Sequence, residues 1–472
     1  MIFSKCHSDF SRFVMGAFVV AGASSCQTMS RNSAFELSST QESRLKNGIE
    51  TMLINDSSLP ATTVMVLVRH GMISESPGKS GVTELVGSTI DKGSGGMSAN
   101  QISETFASMG GDFSISIEPD YMLVTLKSLS FDQERLIRFA YQVLSNPTFA
   151  DDEIQRAKKR LTTSIRALLD QPSAVASAGL NQMVFGEHPY GRAVFGSRES
   201  LGKIRRGDIV NRFNQLFRPE YMTVAVVGRL NESLPQVLDE TFGGWKQRVA
   251  TNLHEVASPK ESPRGEITFV KKSDLTQSQV RFGHLSIARN DPRFMKVRIA
   301  NSILGHGFTS RLMDEIRDNM GLTYTIQSDV SNLRHTGIFH INTFTQNQRA
   351  GLLITEARRL YEDFVKGGVT QEELDSAKAY LKGLFPQVLE TVDGQAFNRL
   401  ILKVYGIEQS YLTDFMKDLD TLKLSEVNDV IRETFFPDRL KVFVLGGEGV
   451  EDQLNLVGKV NSIEYSEFIK QF

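Results

Sequence analysis

The sequence predicts an α+β protein built from one unit used twice: two homologous domains, each a mostly antiparallel sheet covered on one face by helices. Three observations carry this. Segments recur in one order at nearly one offset. RPEYMTVAVVG (218–228) and FPDRLKVFVLG (436–446) set Pro219 and Pro437, and Gly228 and Gly446, 218 apart; IQRAKKRL (154–161) and LDSAKAYL (374–381) set Ala157 and Ala377 220 apart. SMGGDFSIS (108–116) and NMGLTYTIQ (319–327) both read as helix end, Gly cap and strand, with Met109 and Met320 211 apart. Second, stretches such as TTVMVLVRHG (62–71), YMLVTLKSL (121–129) and GIFHINTFT (337–345) read as strands. Third, they alternate with long amphipathic helices such as 151–170, which implies a sheet with helices over one face. The other face is left for the sister unit or a partner.

Residues 1–26 stand apart. Lys5 and Arg12 precede FVMGAFVVAGA (13–23), too short to span a bilayer but suited to a secretory signal. Ala23, Ser24 and Ser25 before Cys26 resemble a bacterial lipoprotein signal, in which Cys26 becomes the lipidated first residue and attaches the chain to a membrane. Ordinary cleavage and a frayed cytosolic N-terminus are the alternatives, since Asp9 and Ala23 are atypical of the lipoprotein pattern. Cys6 and Cys26 are the only cysteines, so the folded body has neither a disulfide nor a thiolate metal site.

The first unit runs over 33–256. Within it GVTELVGSTIDKGSGG (81–96) reads as a helix whose apolar face is Val82, Leu85, Val86, Thr89 and Ile90. Glu84, Gly87, Ser88 and Asp91 form a second stripe. GSGG (93–96) lacks the Lys and Ser/Thr of a phosphate loop and reads as helix end and turn. Residues 257–265, polar with two prolines, are the linker, and 266–472 the second unit.

Several function classes are excluded. With 53 Lys+Arg against 55 Asp+Glu, nothing suggests a nucleic-acid partner. The eight histidines contain no pair at i, i+3 or i, i+4, and His335 and His340, read as one strand, point to opposite faces. There is no GxSxG and no cysteine in the folded body.

The order of LKNGIETMLI, GVTELVGSTIDKGS, NPTFADDEIQRAK, HPYGRAVFGS (188–197), RPEYMTVAVVG and SRLMDEIRDNMGLTYTI (310–326) resembles the pitrilysin/insulinase family of zinc metallopeptidases, which includes the mitochondrial processing peptidase. The match extends over about Leu45 to Leu445. In active members the helix aligned to GVTELVGS carries His-x-x-Glu-His, two zinc ligands and a general base. Those positions here are Glu84, Gly87 and Ser88. The family's third ligand falls on Ser164, and a supporting Glu on Ala157. Zinc needs at least three protein ligands. One carboxylate and two hydroxyls do not supply them, and Gly87 leaves no base, so the resemblance implies no metal and no catalytic residue in this chain.

The family's Arg and Tyr, seven residues apart and implied to bind the substrate carbonyl, match Arg317 and Tyr324. Against this, alternation of Leu322, Tyr324 and Ile326 would turn Tyr324 into the core and leave Arg317 on a wet helix face. The resemblance implies an exported, periplasmic, non-catalytic subunit of a heterodimeric peptidase that degrades or processes oligopeptides. A homologous partner would hold the zinc, and an edge strand around Gly111 to Ile117 would take the peptide. The alternative is a peptide-binding or structural scaffold without a peptidase partner. An enzyme using Glu84 or Asp91 as a lone acid lacks a partner group at suitable spacing.

Overall fold

The computed structural model describes residues 37–254, 256–260 and 264–472. Its strands are β1 Thr40–Arg44, β2 Glu50–Asn55, β3 Ala61–Val68, β4 Gly93–Ser94, β5 Met97–Ser98, β6 Asp112–Ile117, β7 Met122–Leu129, β8 Met222–Gly228, β9 Ile267–Lys271, β10 Gln277–Ser286, β11 Ile326–Asn332, β12 Gly337–Gln346, β13 Lys441–Gly446 and β14 Val460–Glu464. The first sheet has the order β1-β2-β8-β3-β7-β6 and the second, from the equivalent side, β14-β9-β13-β10-β12-β11. In each, one inner pair is parallel, β2 with β8 and β9 with β13. The next three pairs are antiparallel in both sheets. The copies part only at one outer edge, where β1 joins antiparallel from the N-terminal side and β14 joins parallel from the C-terminal end.

The strands carry apolar side chains on both faces. Along β3, Val64, Val66 and Val68 enter the core beneath the first domain's own helices, while Met65 and Leu67 point the other way. What meets those outer faces is the sister unit. Helix Val392–Tyr405 of the second domain lies on β8 of the first, bringing Ala396, Leu400, Ile401 and Val404 against Met65 and Leu67. Reciprocally, helix Pro172–Phe185 lies on β10 and β13, with Val175, Ala176 and Leu180 beside Phe443 and Leu445. The fit is close: a Cβ on Gly179 would stand 2.3 Å from the Phe443 ring. Arg281 of β10 donates to Ser173 Oγ at 2.7 Å and Ser177 Oγ at 3.1 Å on that same helix. Each domain therefore closes the other's sheet.

Where the halves meet, the β6–β7 turn faces the β11–β12 turn. Asp120, 1 % exposed, accepts from Tyr190 Oη at 2.6 Å and from the Arg334 backbone N–H at 2.9 Å. Arg334 Nη2 donates to the carbonyls of Arg69, Asp120 and Val404. Burial pushes the Asp120 carboxyl up, opposed by the hydroxyl and amide it accepts from.

Two local readings are corrected. His335 precedes β12, which starts at Gly337, so it lies in a turn and shares no strand with His340. The helix read in 81–96 is only Val82–Thr89, and GSGG does not end it: Gly93–Ser94 is a strand that pairs with Met97–Ser98 around Gly95 and Gly96, at φ 55° and 87°. The leader and Cys26 lie outside the described residues.

Candidate functional site

Helix Val82–Thr89 is held at its N-terminus by buried charge. Glu75, 3 % exposed, accepts from the backbone N–H of Gly81 at 3.0 Å and Thr83 at 2.8 Å, satisfying donors that a helix start leaves open. Arg212, 2 % exposed, donates to Thr83 Oγ1, the carbonyls of Ser74 and Gly71, and Ser74 Oγ. Burial pushes the Glu75 carboxyl up while the Arg212 guanidinium pulls it back; burial likewise lowers Arg212 to about 10. The helix is thus rigidly placed, as a ligand-bearing helix would be.

Its side chains fit no metal. Glu84 and Ser88 are half-buried, and Gly87 is buried under the edge strand: a Cβ there would lie 2.5 Å from Ile117 Cδ1 and 3.4 Å from Ile115 Cγ2. A side chain at 87 would first meet the terminal methyl of half-buried Ile117, which would have to turn aside to admit it. Helix Asp151–Leu169 packs alongside, with Ala157 fully buried in the core and Ser164 half-buried. One turn before Ser164, Arg160 Nη2 reaches the Ser88 carbonyl at 3.4 Å, putting a cation beside the place where one would have to bind. Asp91 is paired with Lys92 at 2.6 Å. Among the described residues no group of three or more His, Cys, Asp or Glu could hold a metal ion. The donor set of one carboxylate, two hydroxyls and a glycine is what zinc does not accept.

Arg317 and Tyr324 come together in the second domain. Arg317 rides on a π-helix, Met313–Asn319, a wide turn that occurs often at functional sites. Gly321 at φ 60° reverses the chain, and β11 begins only at Ile326. The inward placement of Tyr324 expected from alternation is therefore wrong: residue 324 precedes the strand, and its ring is 78 % exposed. Arg317 Cζ stands 5.7 Å from that ring. Its one polar contact among the described residues is Nε to Asp318 Oδ1 at 3.5 Å, so both Nη atoms lack an acceptor. The degenerate helix and the Arg–Tyr pair sit in different domains.

Sequence reasoning missed three features. Ile115 and Ile117 over Gly87 follow from register, which periodicity alone does not supply. The Asp120–Arg334 contact joins residues 214 apart. Phe308, 77 % exposed, is a second ring near Arg317, whose Cζ is 6.0 Å from it; an aromatic in a Gly-rich loop just before the motif was the available signal.

No helix among the described residues is long and apolar enough to cross a membrane. Comparison with known proteins finds similarity to the "Non-peptidase homolog YmxG" of Helicobacter pylori, 25 % identical over 79 % of this chain and 86 % of the relative. The "Uncharacterized zinc protease YmxG" of Bacillus subtilis is 21 % identical over 83 % of this chain and 95 % of its own. The crystal structure of a peptidase M16 inactive domain from Pseudomonas fluorescens superimposes with TM-score 0.80 at 25 % identity, covering 87 % of this chain and 98 % of that one. Two family descriptions match in succession, "Insulinase (Peptidase family M16)" over 50–198 and "Peptidase M16 inactive domain" over 203–381. With its duplicated sheet-and-helix domains, and with no cluster of metal-ligating side chains among its described residues, the chain belongs to the insulinase family, peptidase family M16.

Proposed function

We propose that this chain is the exported, non-catalytic subunit of a two-chain metallopeptidase that degrades or processes oligopeptides. A homologous partner with an intact His-x-x-Glu-His helix holds the zinc. The observation that carries the reading is the Arg317–Tyr324 pair: an exposed ring against a half-buried guanidinium, neither of whose Nη atoms has an acceptor among the described residues. A guanidinium fork and a phenol hydroxyl are donors suited to a peptide carbonyl and to the oxyanion that develops on it. Neither group requires a metal in its own chain. The outer edge of β6, beside the degenerate helix, offers unpaired backbone groups to an extended peptide. The apolar leader and Cys26 support placement in the periplasm, with attachment to the membrane through an N-terminal lipid.

The test is purification of the native complex followed by identification of what accompanies the chain. A co-purifying family member with the intact zinc motif is expected; a scaffold role predicts none. In that complex Tyr324→Phe lowers peptide turnover about 10²–10³-fold with assembly unchanged. Unchanged turnover removes the pair from the mechanism, and chelator-sensitive hydrolysis by the isolated chain overturns the whole reading. Mass spectrometry of the mature N-terminus is expected to find lipid on Cys26.

A further inference from the structure

Phe308 is a large apolar side chain held out in water by a loop with a fixed base. The loop follows helix Phe294–Leu304. At Gly305 a Cβ would meet Ser328 Oγ at 2.4 Å and Leu312 Cδ1 at 2.7 Å, so the backbone runs hard against β11 and the following helical turn. The Gly305 carbonyl accepts from Ser328 N–H at 2.9 Å. Gly307 takes φ 148°, and its carbonyl accepts from Ser310 Oγ at 2.8 Å. Phe308 is then carried on a short, pinned arch, 77 % exposed.

The first domain does without it. Gly93 and Gly305, and Ser98 and Ser310, stand 212 apart, which sets Gly96 opposite Phe308. The arch therefore closes with no side chain at that place. In the second domain the rings of Phe308 and Tyr324 stand 6.0 and 5.7 Å from the Arg317 guanidinium, giving two exposed rings beside a two-pronged donor that has no Nη acceptor among the described residues.

The geometry points to Phe308 as a specificity-determining residue: with Tyr324 it receives the flat face of an aromatic side chain on a peptide whose adjacent backbone carbonyl is held by the Arg317 fork. The inference rests on the reading of Arg317 and Tyr324 as peptide ligands. In an extended peptide, side chain and carbonyl leave from one residue, which suits rings set beside a donor. An aromatic side chain gains ring–ring contacts and stacking on the planar guanidinium that a branched aliphatic side chain of similar size does not.

The experiment uses the full chain and two capped, uncharged seven-residue peptides, identical except for a central phenylalanine or leucine, with binding read by fluorescence polarisation of a dye on each peptide. The phenylalanine peptide is expected to bind about three- to tenfold more tightly. Phe308→Ala brings it to the affinity of the leucine peptide, and Phe308→Tyr restores the preference. Equal affinity of the two peptides for the unmodified chain overturns the inference, as does a preference that survives in Phe308→Ala. If both peptides bind equally and Arg317→Ala abolishes both, the role of Arg317 stands and that of Phe308 falls. If neither peptide binds, both fall.

Discussion

Gly110 in the first domain and Gly321 in the second reverse the chain at the same φ of 60°, yet what surrounds them has opposite character. Phe106 and Phe113 stand 211 residues before Arg317 and Tyr324. The two phenylalanine rings are 5.3 Å apart, with Phe106 only 4 % exposed, whereas Tyr324 is 78 % exposed. The backbone around them differs to match. The first domain has a regular α-helix, Ala99–Ser108, and its strand resumes at Asp112. The second has the π-helix, and its strand resumes at Ile326, the counterpart of Ile115. The duplicated fold can thus fill this place with a core phenylalanine and a second, half-buried one packed on it. A half-buried arginine and an exposed tyrosine there call for a reason outside packing.

That contrast is open to measurement. Phe106→Ala removes a buried ring and lowers the unfolding free energy by about 3–5 kcal/mol in denaturant titration. A loss under about 1 kcal/mol would mean that Phe106 is no core residue and would dissolve the comparison. Acid comes next and acts in both domains. Burial holds His70 down to about 3 and His284 down to about 4, against an ordinary 6.5. Both folded values are depressed, so the stability they contribute is present above pH 6.5 and is lost as pH falls towards 3–4. At pH 5 each site has given up about 2 kcal/mol. Trp245, the only tryptophan, lies in the first domain's core, so its fluorescence follows that half while circular dichroism follows both. A pH-independent unfolding midpoint between 7 and 5 would show these imidazoles already charged in the folded chain.

Gly179→Ala tests the exchanged helix. The added methyl collides with a fully buried Phe443, and a loss of about 1–2 kcal/mol is expected. A neutral result would mean that the helix stands off its neighbour's sheet. The smallest effect belongs to Arg317→Ala, within about 0.5 kcal/mol, because its ion pair is long and solvent-facing. A loss comparable to that of Phe106→Ala would make Arg317 a structural residue.

The architecture was legible because duplication leaves sequence marks that need no contacts to read. Ala157 and Ala377, and Leu161 and Leu381, are buried in matching helices, as their common offset implies. That helix Val82–Thr89 carries no His-x-x-Glu-His was legible because ligand chemistry is a property of residue type. Other features were not. Periodicity states that Leu180 and Leu400 are inward, without saying whose sheet they face. Alternation misplaced Tyr324 and His335 because it cannot tell where a strand begins, and strand starts are set here by Gly321 and by the β11–β12 turn. The cover of Ile117 over Gly87 depends on strand register, which tertiary contacts decide.

The reciprocal loan of helices bears on biogenesis. As the nascent polypeptide leaves the ribosome, the first sheet has one face sealed early, but the greasy side carrying Met65 and Leu67 stays uncovered until Leu400 and Val404 emerge. The half-made product is therefore sticky for most of translation, a state that invites holdase binding or aggregation. In the exported role proposed above, passage across a membrane as an unfolded thread postpones folding until both halves are present together.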